Sequence, residues 1–268
     1  KYLGTGWDLA KVRGSRYNTG NVIEAALAIG ARAHGNWSGC HSVFFDAGAA
    51  DFGDLAILNQ QKNYFTLGIV VNMAGERFFD EGADFRNYTY SKMGAAILKQ
   101  PGGTGWQIFD SRSLAILPDE YRTPRAARFE APTLEALADK LDGIDKEGFL
   151  HTVAAFNAAV DDRQPFNPAI KDSRCTRGLA IDKSNWARAI AEPPFVAYQV
   201  TCGITLTYGG LAIDEQARVQ NEEGSPIAGL FAAGELVGGL YYDRYPGGAG
   251  LTSGSVFGRI AGQQAAAA

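Results

Sequence analysis

The sequence is poor in the residues that make disulfide frameworks and metal sites. Its three cysteines, Cys40, Cys175 and Cys202, are odd in number and far apart, and none belongs to a C-x-x-C pair. This spacing argues against a disulfide scaffold or a structural zinc site and makes reduced thiols in the cytoplasm the expectation. Of the three histidines, His34 and His151 have no ligand partners at metal spacing, and no metal is expected. No run of Lys or Arg interrupts a formal charge of -4, which weighs against nucleic acid or an anionic membrane surface as partner. Long hydrophobic runs are missing too, so no membrane span is expected. The start, Lys1-Tyr-Leu-Gly-Thr-Gly6, lacks the apolar centre of a signal peptide. The expected partner is a small molecule.

A dinucleotide fingerprint is also lacking. Gly4-Thr-Gly6-Trp-Asp-Leu9 begins like one, but no strand precedes it, and Leu9 stands where the third glycine is needed. Cys40-His41 is a weak candidate for a thiol nucleophile, because neighbours on a strand point to opposite faces.

What is present suffices for a core: 46% of the 268 residues are apolar and 11% aromatic. The pattern predicts a helix over Asn21–Gly30 capped by Thr19, a strand within 33–46, and a looser crossing over 46–63. Phe65–Asn72 reads as a buried strand whose hairpin partner is 76–80, followed by a helix over 84–99 and a strand over 106–110. Helices follow over 113–117, 133–141 and 146–160, the last two started by Thr133 and Asp145. Phe195–Thr201 resumes a strand. Gly203–Ala217 reads as strand, turn, strand, and Asn221–Gly224 as a hairpin turn.

The C-terminal stretch carries the strongest signal. Gly229-Leu-Phe-Ala-Ala-Gly-Glu235 is an apolar strand ending at Gly234 and a carboxylate, and Arg244-Tyr-Pro-Gly-Gly-Ala-Gly250-Leu-Thr-Ser-Gly254 is a glycine-rich loop opening a helix. Glycines let backbone N–H groups approach a ligand, and the helix start offers a partial positive charge worth about 0.3–2 kcal/mol to an anionic partner. Glu235 suits sugar-like hydroxyls. A flavin, with an electron-poor ring and a polyol chain, satisfies both. Gly254, Gly258 and Gly262 recur every fourth residue and read equally as a tight helix-packing stripe.

These residues resemble the C-terminal FAD-binding segment of the fumarate reductase/succinate dehydrogenase flavoprotein family. Val71-Asn-Met-Ala-Gly-Glu-Arg-Phe-Phe-Asp-Glu81, followed by Arg86, resembles that family's capping-domain motif. The fuller pattern includes Gly35-Asn-Trp-Ser-Gly-Cys-His41 and is similar to the branch named FAD-dependent tricarballylate dehydrogenase. The resemblance implies an α+β fold, with a capping domain of this flavoprotein type and the C-terminal remainder of an FAD-binding domain. The implied divisions are 1–50 and 196–268 for FAD and 51–195 for the cap. Because neither an initiator Met nor the N-terminal fingerprint is there, the expectation is a C-terminal fragment that neither holds FAD tightly nor turns over alone.

The implied cofactor is FAD, approached by Gly234, Glu235, Gly248, Gly250, Leu251 and Thr252. The implied reaction is dehydrogenation of a CH–CH bond with hydride passing to flavin N5, the substrate being tricarballylate or a related polycarboxylate. Arg86 matches the proton-transfer arginine with one extra residue in the spacing, the alternative being an ion pair with Asp84. Arg244 resembles a carboxylate clamp, or is a solvated loop residue. His41 matches a substrate-binding histidine, or is packing.

The chain departs from fumarate reductases at Thr205, where they have a histidine, and at Gln60, Gln61 and Tyr64. Tyr245, with Tyr241, Tyr242, Tyr88 and Tyr90, is similar instead to the tyrosines of ketosteroid dehydrogenases. The positive charge that a polycarboxylate needs has four candidate sources, Lys62, Arg77, Arg86 and Arg244. A third reading is a ligand-binding cap that is inactive without its other half.

Overall fold

The computed structural model describes residues 2–53, 60–123 and 126–267. The expected crossing over 46–63 therefore falls partly outside the described residues. The chain divides into two compact units, one made of 9–13 and 43–203, the other of 1–8, 14–42 and 204–268.

The 43–203 unit is organised on an antiparallel sheet whose centre is the long strand Phe195–Thr207. Thr104–Phe109 pairs with it from Thr104↔Thr201 to Phe109↔Val196, and Ile69–Asn72 pairs with Thr104–Phe109 in turn. Arg128–Ala131 also lies antiparallel to the long strand. Ile69–Asn72 and the start of the long strand, 195–198, read as apolar runs because both faces are covered, whereas Arg128–Ala131 leaves Arg128 and Glu130 exposed. Ile69, Val71, Trp106, Ile108 and Ala197 face the helices Leu134–Ala138 and Lys146–Ala159, meeting Leu137, Phe149, Val153 and Phe156. Phe109, Val196 and Tyr198 point the other way, onto Leu67, Leu117 and Tyr121. Both helices start where expected: Thr133 accepts from Ala136 N, and Asp145 accepts from Glu147 N and Gly148 N.

The expected hairpin over 65–80 does not form. Phe65–Leu67 is a 3-10 turn, the strand is only Ile69–Asn72, and its ladder partner is Thr104–Phe109. The returning segment contributes one bridge, Val71↔Arg77. The cause is the side chain of Glu81, which accepts the Val70 N–H at 2.9 Å, the donor that a hairpin strand would have used. Glu81 also receives Nε of Arg77 at 3.0 Å. Asn72 closes the turn by accepting from Ala74 N and Glu76 N, both at 3.0 Å. Gly75 is required there: φ is 75° and a Cβ would lie 2.2 Å from Phe149 N. The long helix expected over 84–99 is broken into Arg86–Thr89, a 3-10 turn Tyr90–Lys92 and Met93–Leu98, which brings Ser91, Met93, Gly94 and Ile97 all inward.

Lys183 is fully buried beside the Arg77–Glu81 pair and donates to Thr66 O at 2.8 Å and Gly68 O at 2.7 Å. Burial pushes its ammonium down from 10.5 to about 8, with Glu81 opposing and Arg77 reinforcing. Between those two values the unfolded chain holds a proton that the folded chain does not, so stability rises with pH across this window. The expected gain is about 3 kcal/mol between pH ~8 and ~10.5 in urea titrations, and Lys183→Met should flatten it. An equal slope in the variant would assign the effect elsewhere.

In the other unit the helix is Asn21–Ala28, and its N-cap is Gly20 at φ 85°, not Thr19. The Thr19 hydroxyl is taken up by the Asn21 side chain. Ala26, Leu211, Val219 and Val237 form the core with Ala31 and Ala232. Arg218–Gln220 and Pro226–Phe231 make the expected hairpin about 221–224. The helix opened by the glycine-rich loop runs Ala249–Ala267 and buries none of its described residues. A Cβ on Gly254 would sit 3.8 Å from Gly234 Cα, whereas Gly258 and Gly262 face nothing within 4 Å among the described residues.

Candidate functional site

The unit containing 14–42 and 204–268 holds a cavity of about 800 Å³ lined by Tyr2, Tyr17, Asn18, Trp37, Thr207 and Glu235, among others. Glu235 follows the Pro226–Phe231 strand at the 3-10 turn Gly234–Leu236. One carboxylate oxygen accepts the Thr207 N–H at 3.0 Å and the other accepts Asn18 Nδ2 at 3.3 Å. Trp37 meets Tyr2 edge-on at 4.8 Å, and its indole N–H is buried with no acceptor among the described residues. Gly234 at φ 70° and Gly248 at φ 86° have backbone that excludes other residues and open space where a Cβ would be.

The loop differs from expectation in one respect. The Gly250 N–H, expected to face a ligand, donates to Tyr245 Oη at 2.9 Å, and the Ala249 N–H donates to Pro246 O at 3.1 Å. Thr252 bonds Gly248 O through both its N–H and its hydroxyl, and Leu251 is 81% exposed.

In the same unit His41 and Tyr245 come together, ring centroids 4.5 Å apart and nearly perpendicular, with Tyr241 5.0 Å beyond Tyr245. Burial, and then the neighbouring Tyr245, pushes the Tyr241 phenol upward. His41 is 3% exposed and its Nδ1 meets the Thr205 hydroxyl. Arg244 is exposed and has no hydrogen bond or ion pair with a described residue. Cys40 fits its inert reading, since burial, with Ser42 opposing, pushes the thiol up to about 12.

Arg86 belongs to the other unit. Its guanidinium stacks 4.2 Å above the Tyr64 ring and donates to Tyr64 Oη at 3.1 Å, while Asp84 pairs with Lys171 at 3.0 Å. Two of the four cations considered for a polycarboxylate are committed to the fold. Lys62 is buried against Asp46 at 3.3 Å, and Arg77 is paired with Glu81. Sequence reasoning missed Asn18 and Tyr64 as partners of Glu235 and Arg86, and no local signal marks either. Trp37 was visible only as part of a quoted motif.

Residues 10–251 match the family described as FAD binding domain. The chain belongs to that family. FAD is the cofactor that accompanies it, and the site fits: a cavity lined by Tyr2, Tyr17 and Trp37 with the Glu235 carboxylate at its edge. Among curated relatives, the fumarate reductase (cytochrome) of Shewanella frigidimarina is 34% identical over 203 residues, covering 74% of this chain and 32% of that protein. The 4-oxocyclohexanecarboxylate 2-dehydrogenase of Sinomonas cyclohexanicum is 29% identical over 92% of this chain and 46% of its own length. The chain thus spans a third to a half of these relatives. Among solved structures, an open flavocytochrome c3 fumarate reductase superposes with TM-score 0.73 at 28% identity, over 99% of this chain and 43% of that one. The 3-ketosteroid delta1-dehydrogenase of Sterolibacterium denitrificans gives 0.70 at 27%, over 99% and 50%. The mixed helix and strand fold of this FAD binding domain member is therefore that of the fumarate reductase flavoproteins. No helix among its described residues is long and apolar enough to cross a membrane.

Proposed function

We propose that this chain is part of an FAD-dependent dehydrogenase acting on CH–CH bonds, with tricarballylate or a related polycarboxylate as substrate. The bound flavin supplies the hydride-accepting ring. Glu235, Gly234 and the 248–252 loop hold the cofactor, in a division where 1–50 and 196–268 bind FAD and 51–195 caps the substrate. Arg244 clamps a substrate carboxylate through its planar fork. His41 holds a second polar group, and Arg86 exchanges the proton at the carbon next to the carboxylate. The observation that carries this reading is the exposed Arg244, unpaired among the described residues and next in sequence to the Tyr245 that packs on His41.

A second reading is supported by the aromatic cluster. Tyr245 and Tyr241 offer ring and hydroxyl surface beside the buried His41, and two of the candidate cations are structural. A 3-ketosteroid or another cyclic ketone would suit such a surface, with Tyr245 doing the proton work.

The test is dye reduction by the chain joined to a G-x-G-x-x-G-containing N-terminal half and loaded with FAD. Tricarballylate, succinate and a 3-ketosteroid are offered in turn. Turnover with tricarballylate alone is the expected result. Turnover with only the steroid moves the assignment to the second reading, and no turnover with any of them refutes both.

A further inference from the structure

Asn18 and Glu235 are 217 residues apart in the chain, yet they meet at the edge of one cavity. Glu235 is exposed, and an exposed glutamate ordinarily samples many rotamers, most of which it gives up when a ligand binds. Here two donors hold it beforehand. The Thr207 N–H donates to Oε1 at 3.0 Å, and Asn18 Nδ2 donates to Oε2 at 3.3 Å. A single donor would leave the carboxylate free to swing about it, whereas two donors on different oxygens, from different segments, fix its plane. Thr207 donates from the backbone, which no side-chain motion shifts. Asn18 is held in a turn, its N–H donating to Ser15 O at 3.1 Å and the Thr19 N–H donating to Tyr17 O at 3.1 Å. The Asn18 amide has one favourable orientation, because turned over it would set its oxygen against the carboxylate, acceptor against acceptor. Each carboxylate oxygen has lone pairs for a further donor, and both side chains line the cavity.

We propose that Asn18 is a positioning residue for the cofactor: with the Thr207 N–H it presets the Glu235 carboxylate to accept from neighbouring hydroxyls of the flavin's ribityl chain. This deepens the reading that Glu235 holds FAD and rests on it for the identity of the ligand. Asn18 then acts only through Glu235, and only toward a ligand that carries those hydroxyls. The side chain at 18 has to be a neutral donor. Asn18→Ala frees one carboxylate oxygen to move, and Asn18→Asp sets a second negative charge against Glu235.

The experiment is calorimetric titration with FAD of the chain joined, as above, to a G-x-G-x-x-G-containing N-terminal half. The wild type is compared with Asn18→Ala, Asn18→Asp, Glu235→Ala and the double variant Asn18→Ala/Glu235→Ala. A second titration uses an FAD analogue whose ribityl hydroxyls are replaced by hydrogen. Asn18→Ala is expected to raise the FAD dissociation constant about tenfold, the worth of one hydrogen bond to a charged acceptor, and Asn18→Asp to raise it further. The double variant should be no weaker than Glu235→Ala, the non-additivity of two groups that act as one. The analogue should bind the wild type and Asn18→Ala alike. Unchanged affinity in Asn18→Ala, effects of the two alanine substitutions that multiply, or an equal loss for FAD and the analogue overturns the proposal and leaves Glu235 as a cofactor residue. Unchanged affinity in Glu235→Ala refutes the reading beneath it, and the proposal with it.

Discussion

Arg86→Ala is expected to lower substrate-dependent dye reduction by about 10²–10⁴-fold, the usual contribution of a positioned proton-transfer group. A guanidinium is a reluctant acid, because it cannot be deprotonated under ordinary conditions. Its use requires a strongly basic partner in a site from which water is excluded. The structure gives Arg86 a fixed place for such a task, stacked on Tyr64 and hydrogen-bonded to the same residue's hydroxyl. Tyr64 is held in turn, since its N–H donates to Tyr121 Oη at 2.9 Å, and Tyr121 donates to Gln107 Oε1 at 2.8 Å. Burial drives the Tyr121 phenol well above its ordinary value, which keeps it a donor. Arg86→Lys should be nearly as damaging as Arg86→Ala because the planar fork is lost. Tyr64→Phe keeps the stacking and should be milder. The comparison that decides the substrate is Tyr245→Phe. Activity lost in Arg86→Ala and kept in Tyr245→Phe supports the carboxylate reading, and the reverse supports the cyclic ketone. Full turnover in Arg86→Ala removes the arginine from the chemistry.

Asp46→Ala should destabilise the 43–203 unit by about 3–5 kcal/mol, because it strands a buried ammonium. Asp46 and Lys62 have no exposed side-chain surface and lie 3.3 Å apart. The carboxylate also accepts Gly48 N at 2.8 Å and Ala127 N at 3.1 Å, so its removal orphans two backbone donors as well. Among the described residues Lys62 keeps Glu120 O, at 2.8 Å, as a close acceptor, and its Nζ lies 5.3 Å from the centre of the Tyr121 ring. Burial already pushes its pKa down against the pull of Asp46. The double variant Asp46→Ala/Lys62→Met should recover part of the loss, since no lone charge remains. The check is the urea midpoint at unchanged slope. A loss below about 1 kcal/mol would mean that water reaches the lysine.

Local chemistry was readable from the sequence, and long-range pairing was not. Thr133 and Asp145 announced their helices because a cap acts within three residues, and 221–224 announced its hairpin. The partner of Ile69–Asn72 was misjudged because an apolar strand does not say which neighbour it takes. A single side chain, Glu81, removed the nearer candidate by taking its donor. The glycine-rich loop and Glu235 marked the ligand end of the chain. Their contacts with Asn18, Thr207 and Tyr245 depend on folding, which the spacing of residues along the chain does not record. The same holds for Lys62, whose charge was legible and whose burial was not.

The tethering of the segment before Arg86 bears on how mutational data for this chain should be interpreted. Arg77 and Glu81 tie 77–81 to two other stretches through buried polar contacts, Val70 through Glu81 and Ile181 through Arg77, and buried Lys183, in the field of that pair, holds the 66–68 turn. A substitution at any of the three would be scored as an inactive enzyme in a screen that measures turnover alone. The motif that leads to Arg86 would then look like a string of catalytic positions. Measured with a folding reporter alongside, the residues through Glu81 should fall with stability, and Arg86 alone should lose turnover in a protein that stays folded.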